Sequence, residues 1–476
     1  VTTTSHRILV LAGAAFLLAC IFAAAYFTLP ALCFLPFTAV ALLLLVQYPQ
    51  ALFYALLFSI PWSTEFTVSG SLGTDLPDEP LMLLMAFAVV VMHLFRRREE
   101  QPKQGLPLPL FLLYAGLAWT VITVALSSHV LLSVKYLLAK GWYILAFVGA
   151  PLLLREKEKF LQRSAGVLFI SMFLVTCIAL ARHAALGFTF AKINDALAPF
   201  FRNHVNYSAL LVFMVPIGLA FHQLETKKWR RVAWRIALVI IFAALLLSYA
   251  RGAWLALAVG LPAYWLLKKG WLLKAFVLAW LLVAAAVFWL QANDNYLLFA
   301  PKHDTTIFHK DFSEHLVATY KGKDVSTAER FYRWVAGARM GRERWLTGFG
   351  PTTFYQHYQS YAVPAFRTWV STNREQSTVH NYFLLLLIEQ GLAGLLFFVL
   401  LIGVLLWQAQ RIYRRTTDPL WKTTVAAIAA ILLMQCTVNF LSDLVETDKV
   451  GSVFYLCLAF LVIADAKTRE PQKIEE

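Results

Sequence analysis

Charge is scarce in this chain. Asp, Glu, Lys and Arg make up 14% of its 476 residues and apolar residues 60%, a balance that excludes an ordinary soluble protein of this length. Acidic residues are the scarcer sign, 27 against 42 Lys plus Arg, which leaves a net charge of +15. In a soluble domain that surplus would point to nucleic acid. Here the basic residues flank apolar runs, so they read as topology signals and lipid-headgroup contacts, and no nucleic-acid partner is expected. Cysteine is nearly absent. Cys20, Cys33, Cys177, Cys436 and Cys457 all fall inside apolar runs, which argues against disulfides and against a cysteine metal site in the polar connections. There is no Walker loop, no HExxH and no dinucleotide fingerprint. His303, His309 and His315 recur near Asp304, Asp311 and Glu314, but that spacing does not bring side chains onto one helical face. Neither a metal nor another cofactor is expected.

The apolar residues arrive in blocks near the length of a bilayer crossing, so lipid is the solvent for most of the chain. Candidate spans cover about 8–29, 31–47, 50–61, 80–95, 108–126, 131–154, 164–181, 204–222, 236–250, 252–267, 271–290, 380–406, 423–441 and 450–464. The first reads as a retained span. Several are short, notably 50–61 and the pair interrupted at Arg251, so twelve to fourteen helices are expected, in an all-α polytopic bundle. Three parts follow: an N-terminal bundle over 1–290, a long polar loop domain over 291–379, and C-terminal spans with a short tail over 380–476. Basic clusters at Arg96 to Arg98, Lys227 to Arg235, Lys268 and Lys269, and Arg411 to Arg415 mark the cytoplasmic side. The stretch 65–79, without Lys or Arg, and Asp443, Glu446 and Asp448 alternate with them. Both termini then fall in the cytoplasm of an inner-membrane protein, and 182–203 and 291–379 fall outside.

The long loop is rich in aromatics, which disordered segments lack. Within it, 327–340 has the spacing of an amphipathic helix with Phe331, Trp334, Val335 and Ala338 on one face and Glu329, Arg330 and Arg333 largely elsewhere. Such a helix can lie along the membrane over a cavity or pack on its own loop.

A few polar residues interrupt this pattern. Arg251 breaks the apolar run 236–267, and an arginine costs about 2.5–3.5 kcal/mol at mid-membrane on insertion scales. It must therefore lie near an interface or face a polar cavity, and the charge pattern puts it at the outer end of two spans, as a snorkelling side chain or as an anion contact. Arg202, Asn203, His204 and Asn206 crowd the entrance to the span at 204–222. Capping explains an asparagine there, while a guanidinium beside free helix N–H groups suits a phosphate. His380 and Asn381 open the next span, where a histidine can serve as a base near neutral pH. Glu389 and Gln390 lie roughly 13–15 Å further along that helix, facing the interior to orient a substrate or to satisfy one another. Arg374, six residues before His380, is a further candidate beside Arg339, Arg342 and Arg367.

The segment His380-Asn381, nine residues, then Gly391-Leu392-Ala393-Gly394 resembles the His-[Asn/Ser/Gln]-x9-Gly-x-x-Gly motif of bacterial O-antigen ligases. Arg251-Gly252 resembles the arginine-glycine element of the wider ligase and polymerase family, with Ala250 where some relatives have serine. Gly348-Phe349-Gly350 through Phe354 is similar to its Gly-x-Gly-x-x-x-[Phe/Tyr] element. The resemblance implies a GT-C-type bundle of about twelve spans with a large periplasmic loop domain. It also implies metal-independent, inverting transfer of a glycan from undecaprenyl diphosphate to a lipid A-core sugar at the periplasmic face. On this chain it implies His380 as the group activating the acceptor hydroxyl and Arg202 and Arg251 on the diphosphate; the polar residues nearby, Asn203, His204, Asn381, Arg374 and Glu389, are then expected around the substrates. An O-antigen polymerase, a lipid-linked protein O-glycosyltransferase and, among non-enzymes, a lipid or anion transporter are the competing readings.

Overall fold

The computed structural model describes residues 48–69, 72–95, 105–155, 159–299, 325–366, 371 and 378–469. The expected spans at 8–29 and 31–47, the cluster Arg96 to Arg98, the histidines at 303, 309 and 315, and Arg367 and Arg374 lie outside the described residues.

The described residues are helical apart from turns and one hairpin that the apolar pattern did not announce. Helix α1 (Pro49–Ser59) leads into antiparallel strands β1 (Thr64–Ser69) and β2 (Leu72–Leu76), with Thr64 opposite Leu76, and then α2 (Asp78–Phe95). Next come α3 (Leu108–Ala125), α4 (Val130–Leu154) with a π turn at Leu145–Gly149, and α5 (Phe160–Ala185). The short α6 (Ile193–Leu197) precedes α7 (His204–Leu224) and α8 (Lys228–Leu247). Helices α9 (Arg251–Gly260), α10 (Ala263–Lys269) and α11 (Leu272–Gln291) follow. After α12 (Val325–Glu343) and the short α13 (Phe354–His357), the chain closes with α14 (Tyr382–Arg415), α15 (Pro419–Leu441) and α16 (Asp448–Arg469).

Nine helices among the described residues are long and apolar enough to cross a bilayer, which makes this a polytopic membrane protein. The expected short span at 50–61 is the eleven-residue α1 followed by a 3-10 turn. The run 236–267 is divided as its arginine suggested: α8 ends at Leu247, Tyr249 adopts a left-handed φ of 57°, and α9 starts at Arg251. Helix α16 lies at the centre, 89% buried over its apolar window, whereas α11 is 11% buried and faces lipid. Lipid tails are as apolar as the side chains, so packing between spans depends on close van der Waals contact at small residues. Gly260 of α9 is one such residue: a methyl there would meet Met434 of α15 at 2.5 Å.

The two ends of the bundle carry different charge. At one end Arg231 donates to the Glu225 carbonyl at 3.1 and 2.6 Å, Arg414 to the Lys269 carbonyl at 3.5 Å, and Arg415 to Asp465 at 2.7 Å. At the other lie the hairpin and the turn 442–447 with Asp443 and Glu446.

Candidate functional site

The site elements meet at the second of these ends. The Tyr382 N–H donates to the Ser442 carbonyl at 3.0 Å, which ties the start of α14 to the end of α15. A methyl on Gly252 would stand 3.3 Å from Leu441 Cδ1, so the first turn of α9, and Arg251 with it, reaches the same level. Lys449, opening α16, donates to the Ser63 carbonyl at 2.8 Å and to the Phe200 carbonyl, and its ammonium lies 4.4 Å from the Phe201 ring centre. That anchors the loop carrying the exposed Arg202.

An aromatic chain joins the two arginine segments. Phe190 meets Tyr249 edge-on at 5.6 Å and His204 edge-on at 6.0 Å between ring centres. Tyr249 stands two residues before Arg251 and His204 two residues after Arg202. Asn203 caps α7, its Oδ1 accepting the N–H groups of Val205 and Asn206, both at 3.0 Å. The His204 N–H donates to Asn194 Oδ1 at 2.9 Å. Asn381 is a cap of the same kind, accepting the Leu384 N–H at 3.0 Å.

His380 sits just outside α14, half-buried, with a left-handed φ of 53° that a side chain rarely adopts. Its imidazole is held neutral: burial first, then the charges of Arg330 and Arg333, push its pKa from 6.5 down to about 3. Those arginines belong to α12, whose orientation corrects the sequence expectation. Its most buried residues, Ala328, Glu329, Tyr332, Arg333, Ala336 and Met340, include two charged ones, while Phe331, Trp334 and Val335 are partly buried against the core. Arg333 pairs with Glu329 at 3.6 Å and donates to the Thr378 carbonyl at 3.1 Å. Small residues let α12 approach α14 closely, since a methyl on Gly337 would meet Ile388 at 2.7 Å and Val379 at 3.3 Å. Trp334 meets Phe440 of α15 at 6.0 Å between ring centres. The helix therefore packs on the spans as well as on its own loop, with its polar face turned toward His380.

The glycine motifs have a physical explanation. Gly391 adopts φ 70° and ψ −173°, a region open in practice to glycine alone, and interrupts the hydrogen-bond ladder of α14. The Leu392 N–H leaves the helix to donate to the Trp345 carbonyl at 2.7 Å. The carbonyls of Ile388 and Glu389 instead accept the N–H groups of Phe349 and Gly350, each at 2.9 Å. Gly348-Phe349-Gly350 thus lies directly on the helix backbone. From its other side the Phe349 carbonyl accepts the Ser128 N–H at 3.0 Å and the Pro351 carbonyl accepts the Ser133 hydroxyl at 2.7 Å.

Glu389 and Gln390 do not satisfy one another. The two Glu389 carboxylate oxygens accept the N–H groups of Thr352 at 2.8 Å and Phe354 at 3.2 Å. Gln390 instead accepts the Thr120 hydroxyl at 3.0 Å.

Between α4, the 352–356 turn, the start of α14 and the 443–446 turn lies a cavity of about 380 Å³. Tyr136, Lys140, Tyr143, Tyr355, Asp443 and Glu446 line it, and so does Thr378, two residues from His380. Tyr136 donates to Glu446 at 2.9 Å and accepts from Lys140 at 2.7 Å, with Lys140 and Glu446 3.7 Å apart. Burial first, then Glu446 nearby, raises the pKa of Asp443. Tyrosines with interspersed acceptors suit a sugar, presenting ring faces to C–H groups and oxygens to hydroxyls. The sequence signals for this cavity were Lys140 inside an apolar run and the acidic pair Asp443 and Glu446, which served there only to orient the chain. Among the described residues, no three His, Cys, Asp or Glu side chains are grouped as metal ligands.

Residues 236–399 match the protein-family model described as O-antigen ligase. The matched stretch contains Arg251, the Gly348 to Gly350 turn, His380 and Gly391, while Arg202 lies before it. No curated protein matches the chain.

Proposed function

We propose that this chain, a membrane enzyme of the O-antigen ligase family, transfers a glycan from undecaprenyl diphosphate to a lipid A-core sugar at the periplasmic end of its bundle. The observation that carries the reading is the convergence at one end of two arginine segments, a neutral histidine and a tyrosine- and carboxylate-lined cavity. The basic end, with Arg231, Arg414 and Arg415, then faces the cytoplasm together with both termini.

In this mechanism Arg202 and Arg251 hold the diphosphate, for which a permanently charged, forked donor is suited. The acceptor sugar occupies the cavity beside Thr378 and presents a hydroxyl to His380. His380 takes the hydroxyl proton as the oxygen attacks the anomeric carbon, the bond from that carbon to the diphosphate breaks, and undecaprenyl diphosphate leaves. A single displacement from the opposite face inverts the anomeric centre and needs no covalent intermediate. Burial, with Arg330 and Arg333 nearby, keeps the imidazole unprotonated before substrate arrives. The incoming diphosphate offsets those charges and strengthens the base during the reaction. Glu389 acts as a positioning residue through the loop it holds. A transporter would place its arginines at mid-membrane in broken helices, whereas Arg251 opens a helix at the bundle end.

The test offers the purified protein a lipid-linked glycan donor with lipid A-core, pilin or a second lipid-linked glycan as acceptor. Transfer to lipid A-core that disappears in His380→Ala is expected. Transfer only to the second glycan identifies a polymerase, transfer only to pilin a protein glycosyltransferase, and undiminished turnover by His380→Ala sinks the base assignment.

A further inference from the structure

A second cavity, of about 550 Å³, opens at the basic end between α7, α8, α9 with α10, and α15. Nothing in the proposed transfer uses it. Its volume lies within the roughly 300–1,000 Å³ of ligand-binding cavities.

Small residues make up much of its wall. Ala220 of α7, Gly260 of α9, and Ala426, Ala427 and Ala430 of α15 all line it. Pro216, inside α7, also lines it, and a proline there removes a ladder hydrogen bond and bends the helix. The cleft runs well into the bilayer: the α15 residues from Ala426 to Met434 cover about 12 Å of helix. Three basic side chains, His222, Arg231 and Arg235, line its outer end, from the last turn of α7 and the first two turns of α8.

These guanidiniums are held in place through backbone and histidine acceptors. Arg231 is fixed through Nε and one terminal nitrogen on the Glu225 carbonyl. Arg235 donates from Nε to His222 Nε2 at 3.0 Å, which makes that histidine nitrogen an acceptor. Neither arginine forms an ion pair with a carboxylate among the described residues, and the Glu225 carboxylate accepts the N–H groups of Thr226 and Lys227 instead, both at 3.1 Å. Lys227, Lys228 and Arg230 add positive charge alongside.

We infer that this cleft binds one anionic phospholipid from the leaflet at the basic end, its phosphate on Arg231 and Arg235 and an acyl chain between Leu219 and the alanines of α15. Fixed guanidiniums at headgroup depth match a phosphodiester, and a long apolar wall beneath them matches an acyl chain rather than a free anion.

The test uses the full chain in nanodiscs of phosphatidylglycerol and phosphatidylethanolamine, with co-purifying lipid counted by native mass spectrometry. Wild type is expected to retain phosphatidylglycerol roughly tenfold or more over phosphatidylethanolamine, and Arg231→Ala/Arg235→Ala to lose that preference. Ala426→Phe, which fills the cleft and leaves both arginines in place, is expected to lose the lipid as well. Lys227→Ala/Lys228→Ala is expected to keep it. Equal retention of the two lipids by wild type, or full retention by Ala426→Phe, overturns the proposal, the latter showing surface attraction alone. Displacement by millimolar inorganic phosphate also overturns it, showing a simple anion site. An unchanged thermal midpoint for Ala426→Phe keeps the outcome meaningful should the double arginine variant fail to fold.

Discussion

Glu389 Oε2 accepts the backbone N–H of Thr352 at 2.8 Å, so a carboxylate inside a membrane helix holds a turn of the segment between α12 and α14. Its other oxygen accepts the Phe354 N–H at 3.2 Å. Glu389→Gln leaves one oxygen for two donors and turns an NH₂ group toward the second, at a cost of about 1–3 kcal/mol. A lower thermal midpoint and new tryptic cleavage after Arg344 are expected. A raised acceptor KM with unchanged stability would instead make Glu389 a sugar ligand.

Gly391→Ala is expected to be far more damaging. The backbone conformation alone costs of order 1–3 kcal/mol for a residue with a side chain, and the added methyl runs into the Leu346 carbonyl. Gly403→Ala, further along the same helix with Phe276 no nearer than 3.4 Å, should be tolerated or slightly stabilising. Expression and thermal unfolding of the two variants check the contrast, and equal behaviour would contradict the account of the motif.

The neutral imidazole of His380 sets a pH dependence. A base works unprotonated, above its pKa, so kcat/KM of the wild type should hold from pH 8 down to nearly 4 and fall only as the pKa of about 3 is approached. Removing a cation in Arg330→Ala or Arg333→Ala favours the imidazolium, raises that pKa and moves the acidic limb upward toward 6.5. For stability the sign is the same. The folded pKa lies below the unfolded value, so this contribution is complete above pH 6.5 and is lost as pH falls toward 3. Rate profiles of wild type and both variants provide the measurement.

Donor and acceptor contacts should separate in kinetics. Arg251→Lys and Arg202→Lys keep charge but lose the fork, so transfer should fall by about 10²-fold without recovery at higher acceptor concentration. Tyr136→Phe removes the hydroxyl between Lys140 and Glu446 and should raise the acceptor KM several-fold while leaving the donor KM unchanged. Steady-state measurement with each substrate varied in turn decides it. A donor effect from Tyr136→Phe would move the acceptor out of this cavity.

Much of this molecule was legible before any coordinates. Span-length apolar runs make a polytopic bundle unavoidable, because lipid tolerates only backbone that satisfies itself. The break at Arg251 follows from the cost of a buried guanidinium, and the histidine-to-glycine spacing resembled the family whose model matches residues 236–399. One feature was misread for an identifiable reason, and another was left open. The polar face of α12 was expected away from its packing surface, since periodicity tells which residues share a face but not that another polar segment waits to cover it. Glu389 and Gln390 are adjacent in sequence, yet their partners lie on the 352–354 turn and on α3.

The sequence by itself determined the solvent of each segment, the charge difference between the bundle's ends, and where glycine had to stand. Those properties depend on local composition and on transfer energies summed over a single helix. Only the tertiary structure decided that burial, with Arg330 and Arg333 nearby, would keep His380 neutral, that Glu389 would hold the motif loop, and that Tyr136, Asp443 and Glu446 would share a cavity. These are interactions between segments distant in the chain, and their strength depends on separation and burial that no local pattern encodes.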